Sequence, residues 1–71
     1  MNRTPIDAAR VVWVGYDPAT RRLEAGYRDW TVHEYLEVPP HVHAGLWDTP
    51  APGRYFEAYI EKAGYEKRRV D

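Results

Sequence analysis

The sequence predicts a small α+β domain in which a three-stranded antiparallel β-meander is followed by two short helices. Three segments with a strand pattern lie within residues 10–38 and are separated by short turns. The first and third are rich in β-branched and aromatic residues, and the second alternates apolar and polar residues. Because short connections usually join neighbouring strands, the three segments are predicted to form a meander. Two stretches with apolar residues four positions apart follow, each preceded by proline, which is typical of short amphipathic helices.

The chain has 71 residues, which is enough for one domain. We expect residues 1–9 to form an N-terminal arm or a short helical turn, and residues 10–70 to form the domain. Thr4 and Pro5 favour the helical turn, because threonine caps helices and proline suits their first position. A mobile arm fits the same segment equally well.

The first predicted strand is residues 10–16, with the sequence RVVWVGY. Successive side chains of a strand point to opposite faces. The two resulting sets are Val12, Val14 and Tyr16 on one face, and Val11 and Trp13 on the other. If the first set faces the core, the second faces away from it. The DPAT turn at residues 17–20 follows, because aspartate accepts from a nearby backbone N–H and proline presets φ.

Residues 21–28 form the second predicted strand and have the clearest alternation in the chain. Leu23, Ala25 and Tyr27 point to one side and are predicted to face the core. The turn that follows contains Trp30, which is unusual because hairpin tips favour Gly, Asn and Asp.

The third predicted strand, residues 31–38, runs directly into a helix. Its alternation leaves open which face meets the core, since both faces mix apolar and polar residues. The two sets are Val32, Glu34, Leu36 and Val38, and Thr31, His33, Tyr35 and Glu37. Pro39 lacks a backbone N–H and must end the strand. Pro40 then suits the first position of a helix.

The first helix is predicted over residues 40–48. Val42 and Leu46 share a face, and the interior Gly45 weakens the pattern. Pro50 ends this helix.

The second helix is predicted over residues 54–63, with Phe56 and Ile60 on its apolar face. Gly64 fits the left-handed position that stops a helix. The last residues, 65–71, are predicted as either a short edge strand or a disordered tail.

The composition argues against several classes of function. No cysteine or serine occurs, which removes the two commonest nucleophiles and any thiolate metal site. The net charge of −1, from 10 basic and 11 acidic residues, is a poor match to a nucleic-acid binder. No apolar run approaches the roughly 20 residues that span a bilayer, and the N-terminus has no signal-peptide core. We therefore expect a non-catalytic cytoplasmic protein without a cofactor and without membrane contact.

Four motifs stand out in the chain. They are VGYD at residues 14–17, LEAGY at 23–27, VHEYLEVPPHV at 32–42 and GRYFEAYI at 53–60, with a tyrosine at 65. In this order and spacing they resemble the KTSC domain, over roughly residues 10–70. That family takes its name from the C-terminal extension of some lysyl-tRNA synthetases, and it also occurs as small stand-alone bacterial proteins. The resemblance implies a small domain for which RNA binding has been suggested and which has no known enzyme activity.

The chain keeps the apolar scaffold of that family and departs from it at polar positions. The family's Tyr-x-Tyr pair is His33-Glu34-Tyr35 here, and Trp30 stands where glycine or a polar residue is usual. Glu57 and Glu61 replace an asparagine and a basic residue, which makes the second helix less favourable to phosphate.

The start of the second helix also departs from the family. Ala51 replaces a serine that would be a plausible N-cap, and alanine cannot cap. We expect that Thr49 caps the helix instead or that its first turn is frayed.

His33, His41 and His43 are the only imidazoles, and we predict no metal site among them. Two histidines two positions apart on a helix point in nearly opposite directions. The spacing also lacks the pattern of known zinc sites. These residues are predicted to be surface imidazoles.

The three tryptophans are the sharpest departure from an ordinary small domain. Trp13 and Trp30 are predicted to be exposed, and such rings are enriched at protein interfaces and also stack on unpaired bases. In the alternative reading, the N-terminal arm or the tail covers Trp13 and Trp47 belongs to the core.

The predicted binding residues are aromatic or basic and come from all three strands and the tail. They are Trp13, Trp30, His33, Tyr35, Arg21, Arg22, Lys67, Arg68 and Arg69. A surface of this kind suits RNA. The alternative for the last three is a solvated tail that maintains solubility.

Two functions therefore remain. The first is an RNA-binding module, which the family resemblance favours. The second is a protein-interaction or homodimerisation module that uses exposed aromatic residues around Val11, Trp13 and Trp30, which the near-neutral charge favours. Salt separates the two, because binding through phosphates weakens steeply as salt rises.

Overall fold

A computed structural model describes residues 3–70 and shows one five-stranded antiparallel sheet with a helical layer on one face. The elements in chain order are β1 (Arg3–Pro5), β2 (Val11–Asp17), β3 (Arg22–Tyr27), β4 (Val32–Tyr35), α1 (Pro40–Gly45), α2 (Pro52–Phe56), a π-helical segment (Glu57–Glu61) and β5 (Lys67–Arg69). The strand order is β1-β2-β3-β4-β5. Each strand therefore lies beside its neighbours in sequence, and the helices are inserted between β4 and β5.

Four strands precede the helices, so the prediction of three is wrong in number. The predicted meander is the centre of the sheet, as β2, β3 and β4. The helical turn predicted near Thr4 is replaced by β1, which pairs with β2 from Arg3↔Gly15 to Pro5↔Trp13. The helix-capping signals of Thr4 and Pro5 do not decide the structure of this segment. Tertiary contacts outweigh them, because Ile6 is buried in the core and its N–H donates to the carbonyl of Val12 at 3.2 Å. The C-terminal edge strand is confirmed as β5.

A β-bulge in β2 changes which side chains enter the core. Val11 pairs with Tyr27 and Trp13 pairs with Gly26, so Val12 is an extra residue in the ladder. The prediction that Val11 faces away from the core with Trp13 is therefore wrong. Val11 is only 2% exposed and belongs to the core.

The sheet has a covered face toward the helices and an open face. Leu23 and Ala25 are fully buried on the covered face, as predicted, and Tyr27 lies partly buried beside them. Register places Tyr35 opposite Leu23 and Glu34 opposite Glu24. The covered face of β4 therefore carries His33 and Tyr35, and the open face carries Val32 and Glu34.

The third predicted strand is shorter than expected. β4 ends at Tyr35, because Glu37 has a φ of 55° and turns the chain away from the ladder. Val38 is nevertheless fully buried, and its N–H donates to the carbonyl of Arg21 at 2.8 Å.

Both helices lie close to their predicted positions and are shorter or less regular. α1 buries Val42, and the turn after it buries Leu46. Gly45 is required there, because an added Cβ would lie 2.1 Å from the hydroxyl of Tyr55. In the second helix, α2 buries Phe56 and the π-helical segment buries Ile60.

Gly64 has a φ of 90°, as expected for the residue that stops a helix. Within residues 3–70, no helix is both long enough and apolar enough to cross a bilayer.

The first turn of α2 has no side-chain cap. Ala51 occupies the N-cap position with extended φ, and no side chain bonds the free N–H groups of the turn. Thr49 does not cap the helix, since its hydroxyl accepts from the N–H of Ala51 at 3.2 Å, one residue before the first turn.

We expect Ala51→Ser to raise the free energy of unfolding by about 0.5–2 kcal/mol, because a serine hydroxyl can accept from the N–H two or three positions on. Urea unfolding followed by circular dichroism measures the change. Ala58→Ser, at an exposed position inside the helical segment, is the matched control and should give no gain. A lower midpoint for Ala51→Ser would show that the site does not act as a cap.

Candidate functional site

The open face of the sheet carries an aromatic corner, which we define as Val12, Trp13, Trp30 and Val32 with Arg3 and Arg28 beside them. Trp13 lies flat against β3, because a Cβ at Gly26 would be only 2.0 Å from Cε2 of the indole. The guanidinium of Arg3 lies 4.1 Å from the Trp13 ring. Trp13 is therefore half-buried, and the strand β1 partly covers it, as one of the two readings of the sequence expected.

Trp30 stands at the tip of the β3–β4 hairpin and is 90% exposed. The N–H of Tyr27 donates to the carbonyl of Thr31 at 2.9 Å, and the N–H of Trp30 donates to the carbonyl of Tyr27 at 3.0 Å. The loop therefore holds three residues, and Trp30 is its last, with a φ of 70°. Glycine is favoured at this left-handed position, since a bulky residue there is strained.

A groove of about 510 Å³ runs between Trp30 and Trp13. Val12 and Val32 add apolar surface, and Arg3 and Arg28 add guanidinium groups, of which Arg3 pairs with Glu24 at 3.4 Å. Among residues 3–70, no aspartate or glutamate lines the groove. Arg28 is held in place because its guanidinium donates to the carbonyls of Ala9 and Ala8.

The other half of the open face is a paired charge cluster. Glu34 is 8% exposed and accepts two hydrogen bonds from Arg68, at 2.9 and 3.1 Å. Arg22 lies 3.9 Å from the same carboxylate. Two of the predicted RNA-binding arginines are thus partly neutralised by one buried carboxylate.

The predicted binding residues do not form one surface. Trp13, Arg22 and Arg68 lie on the open face and Trp30 lies at its edge, while His33, Tyr35, Lys67 and Arg69 have registers that place them on the covered side. Tyr35 is 1% exposed, so its ring is not accessible to another molecule. Arg21 is exposed at the first hairpin, at a φ of 57°. The structure brings together Trp13 and Trp30 and separates them from the basic residues of β5.

A hydrogen-bonded network joins the sheet to the second helix on the covered face. The hydroxyls of Tyr27 and Tyr35 lie 2.7 Å apart, and Tyr27 donates to Oε2 of Glu61 at 3.0 Å. Since Tyr27 has a single proton, Tyr35 must then donate to Tyr27. Arg10 donates to the other oxygen of Glu61. All donors therefore point toward one carboxylate in the π-helical segment.

This environment changes the pKa of both phenols. Burial, then the hydrogen bond with Tyr35 and the negative charge of Glu61, raise the pKa of Tyr27 strongly. Burial also raises the pKa of Tyr35, which the hydrogen bond to Tyr27 offsets in part. Both phenols are thus held neutral, and neither is prepared to act as a base.

His41 is exposed, as predicted for a surface imidazole, whereas His33 and His43 are partly buried and the prediction is wrong for them. His43 stacks on Tyr16 with ring centroids 4.5 Å apart, and its Nε2 accepts from the indole N–H of Trp47 at 3.3 Å. Burial lowers the pKa of His43, which keeps that nitrogen free to accept. In the part of the chain that the structure covers, no three His, Cys, Asp or Glu side chains are grouped as metal ligands. Trp47 is 42% exposed and lies outside the core, so the alternative prediction that it belongs to the core is wrong.

Comparison with known proteins agrees with the fold. The family model of the KTSC domain matches residues 9–65. The chain belongs to the KTSC domain family. A crystal structure of a KTSC domain protein from Yersinia pestis superposes with a TM-score of 0.87 at 31% identity, covering 99% of this chain and 97% of that one.

Two further relatives share the length of the domain. A protein from Stutzerimonas stutzeri is 28% identical over 71 residues, which is all of both chains. A protein from Tsukamurella paurometabola is 28% identical over 57 residues, which is 80% of this chain and 85% of that one. These similarities define the family of the domain.

Sequence reasoning missed two features of this KTSC domain. Arg28 was not expected to border the groove, and Glu61 was noted only as a replacement for a basic residue. The glutamate lies beside the core residue Ile60, and that proximity was the available signal. Its partners Arg10 and Tyr27 lie more than thirty positions away in sequence, and only the folded chain brings them together.

The raised phenol pKa values predict alkaline destabilisation. A neutral phenol is favoured in the folded state, so its contribution is full below the unfolded pKa of about 10 and is lost as pH rises above it. We expect the urea midpoint to fall more steeply between pH 9 and 11 in the unmodified protein than in Tyr27→Phe. Tyr59→Phe, at an exposed ring, is the control and should keep the original slope. Equal slopes for Tyr27→Phe and the unmodified protein would contradict the prediction.

The left-handed conformation of Trp30 predicts that Trp30→Gly is stabilising. Glycine relieves the strain of a bulky residue at positive φ, and its greater freedom in the unfolded chain offsets part of the gain, which leaves about 1 kcal/mol. Thermal unfolding followed by circular dichroism measures the effect. A fall in melting temperature would show that the indole contributes to the fold after all.

Proposed function

We propose that this KTSC domain is a non-catalytic binding module whose contact surface is the open-face aromatic corner, and that its partner is a protein segment. The observation that carries the proposal is Trp30, whose side chain is almost fully exposed at a position that favours glycine. A tryptophan there is unfavourable for the isolated fold in two ways, since it exposes apolar surface and strains the backbone. A role in binding accounts for both.

The corner has the features of a protein contact. Exposed Trp30 and half-buried Trp13 border one groove, and rings of this type supply much of the binding energy at interfaces. The walls at Val12 and Val32 are apolar. A partner that inserts an apolar side chain would remove the surface of Trp30 from water, which is favourable.

The charge of the groove indicates the character of the partner. Arg3 and Arg28 line it, and among residues 3–70 no carboxylate does, but Arg3 already pairs with Glu24 at 3.4 Å. Arg28 is the cation left to pair with a partner, so the groove complements a segment that combines apolar and acidic side chains. Arg28 is fixed by two backbone carbonyls, which places its charge at the rim before binding.

Paired charges favour a protein over RNA. Arg22 and Arg68 contact Glu34, and Arg3 contacts Glu24. RNA affinity depends on several cations that are free to replace counterions along the backbone. Lys67 is separated from the aromatic corner because it lies toward the covered face.

Selection of phage-displayed peptides against the full chain tests the proposal. We expect enriched peptides that combine apolar and acidic residues, and we expect Trp30→Gly to weaken them by about thirtyfold or more, as for a central interface tryptophan. Trp47→Ala removes another exposed indole, on the helical side, and should leave the affinity unchanged. Isothermal titration at 50 and 200 mM salt gives the affinities, which should differ by no more than about threefold, as expected for an interface dominated by aromatic contacts.

Three outcomes would overturn the proposal. The first is equal peptide affinity for Trp30→Gly and the unmodified protein. The second is saturable binding of a single-stranded RNA that falls steeply with salt and needs Trp30. The third is a stable dimer in sedimentation velocity that Trp30→Gly disperses, since the corner would then be occupied by a second copy.

A further inference from the structure

A second cleft lies on the covered side of the sheet, separate from the groove at the aromatic corner. It has a volume of about 390 Å³, which is within the usual range of small-ligand sites. Arg10 and Glu61 form one side, Tyr27 and His33 contribute their rings, and Lys67 stands at the edge strand. The two clefts meet only at the β3–β4 hairpin.

The carboxylates that line this cleft are already engaged. Asp29 accepts from the N–H of Thr31 at 3.0 Å and from its hydroxyl. Glu61 accepts from Tyr27 and from Arg10. Neither acid therefore presents an unpaired negative charge to a cationic ligand.

The cations of the cleft are less fully engaged. Lys67 makes no ion pair with the side chains of residues 3–70, and its ammonium lies 5.9 Å from the ring centre of Tyr35. Arg10 pairs with Glu61 and lies 3.9 Å from Glu57, but its side chain is 61% exposed and a guanidinium has five N–H donors. Positive charge with free donors is thus left on two sides of the cleft.

The imidazole of His33 does not stabilise the fold through a hydrogen bond of its buried nitrogen. Its Nδ1 is buried without a hydrogen-bond partner in the part of the chain from Arg3 to Val70, and its ring packs edge-on against Tyr27 at 5.0 Å. A buried nitrogen without a partner destabilises a fold, so an apolar ring would suit the position better. An imidazole kept there at a cost to the fold points to a role in the cleft.

We propose that this cleft binds a small organic anion, namely a carboxylate or phosphate carried on a flat apolar body. Lys67 and Arg10 neutralise the anionic group through charge-assisted hydrogen bonds. The ring of Tyr27 contacts the apolar body, and Nε2 of His33, which is not buried as Nδ1 is, donates to the anionic group. This cleft shares Tyr27, Arg28 and Thr31 with the groove of the aromatic corner but uses neither tryptophan, so the proposal stands even if no protein segment binds there.

The test titrates benzoate and phenyl phosphate separately into the isotope-labelled full chain and follows amide and side-chain NMR shifts. We expect saturable shifts at Lys67, Arg10 and His33 with at least one of the two probes, and the probe that binds identifies the anionic group. Lys67→Met should weaken binding about tenfold, as expected when one charge-assisted contact is removed. Lys62→Met is the control. Lys62 is exposed and pairs with Glu57 outside the cleft, so removing its charge should leave the affinity unchanged.

His33→Phe separates a binding role from a structural one. We expect an unchanged or raised melting temperature together with at least fivefold weaker binding, since losing one hydrogen bond of about 1 kcal/mol corresponds to that factor. Trp30→Gly should bind both probes as the unmodified protein does. The proposal is overturned if neither probe saturates, if Lys62→Met weakens binding as much as Lys67→Met, or if His33→Phe lowers the melting temperature and keeps the affinity.

Discussion

The docking of the second helix onto two tyrosines is the contact on which the rest of the domain depends. Phe56 packs edge-on against Tyr27 and Tyr35, with ring centres 6.5 and 6.0 Å apart. One turn later, Glu61 accepts hydrogen bonds from Tyr27 and Arg10. Apolar burial and hydrogen bonds therefore hold the same helical segment against the sheet. Removing the helix would expose the fully buried side of β3, and a core of this size has little stability to spare.

That docking also accounts for the π-helical turn. Phe56 and Ile60 are buried while Glu61 reaches back to the sheet, so three side chains within six residues must meet one surface. The wider π-helical turn changes the angle between successive side chains. Such turns are frequent at functional sites. The fold and the covered-side cleft are therefore built from the same residues.

The sequence predicted the local parts of the structure and not those decided by distant partners. Alternation identified Leu23 and Ala25, and proline and glycine placed the helix ends near Pro40 and Gly64. The bulge at Val12 could not be predicted, because it depends on how β2 aligns with β3.

The same limit applies to the candidate sites. Exposure of Trp30 followed from its turn, whereas the pairing of Arg22 and Arg68 with Glu34 is a cross-strand arrangement that spacing does not reveal. The predicted RNA-binding surface does not exist as one patch, because its basic residues are divided between the open and the covered face of the sheet. β1 was missed because its three residues pair with a strand about ten positions away, while its local signals favour a helix.

The two outer strands restrict how this domain can meet anything else. β1 is three residues long and includes Pro5, which has no N–H to offer, and β5 consists of Lys67, Arg68 and Arg69, all exposed. Neither border can readily extend its hydrogen-bond ladder into a neighbouring molecule, and both therefore discourage amyloid-like stacking. Recognition is consequently left to side chains projecting from the interior strands and their hairpin, where shape and charge can discriminate between molecules in a way that a bare backbone cannot.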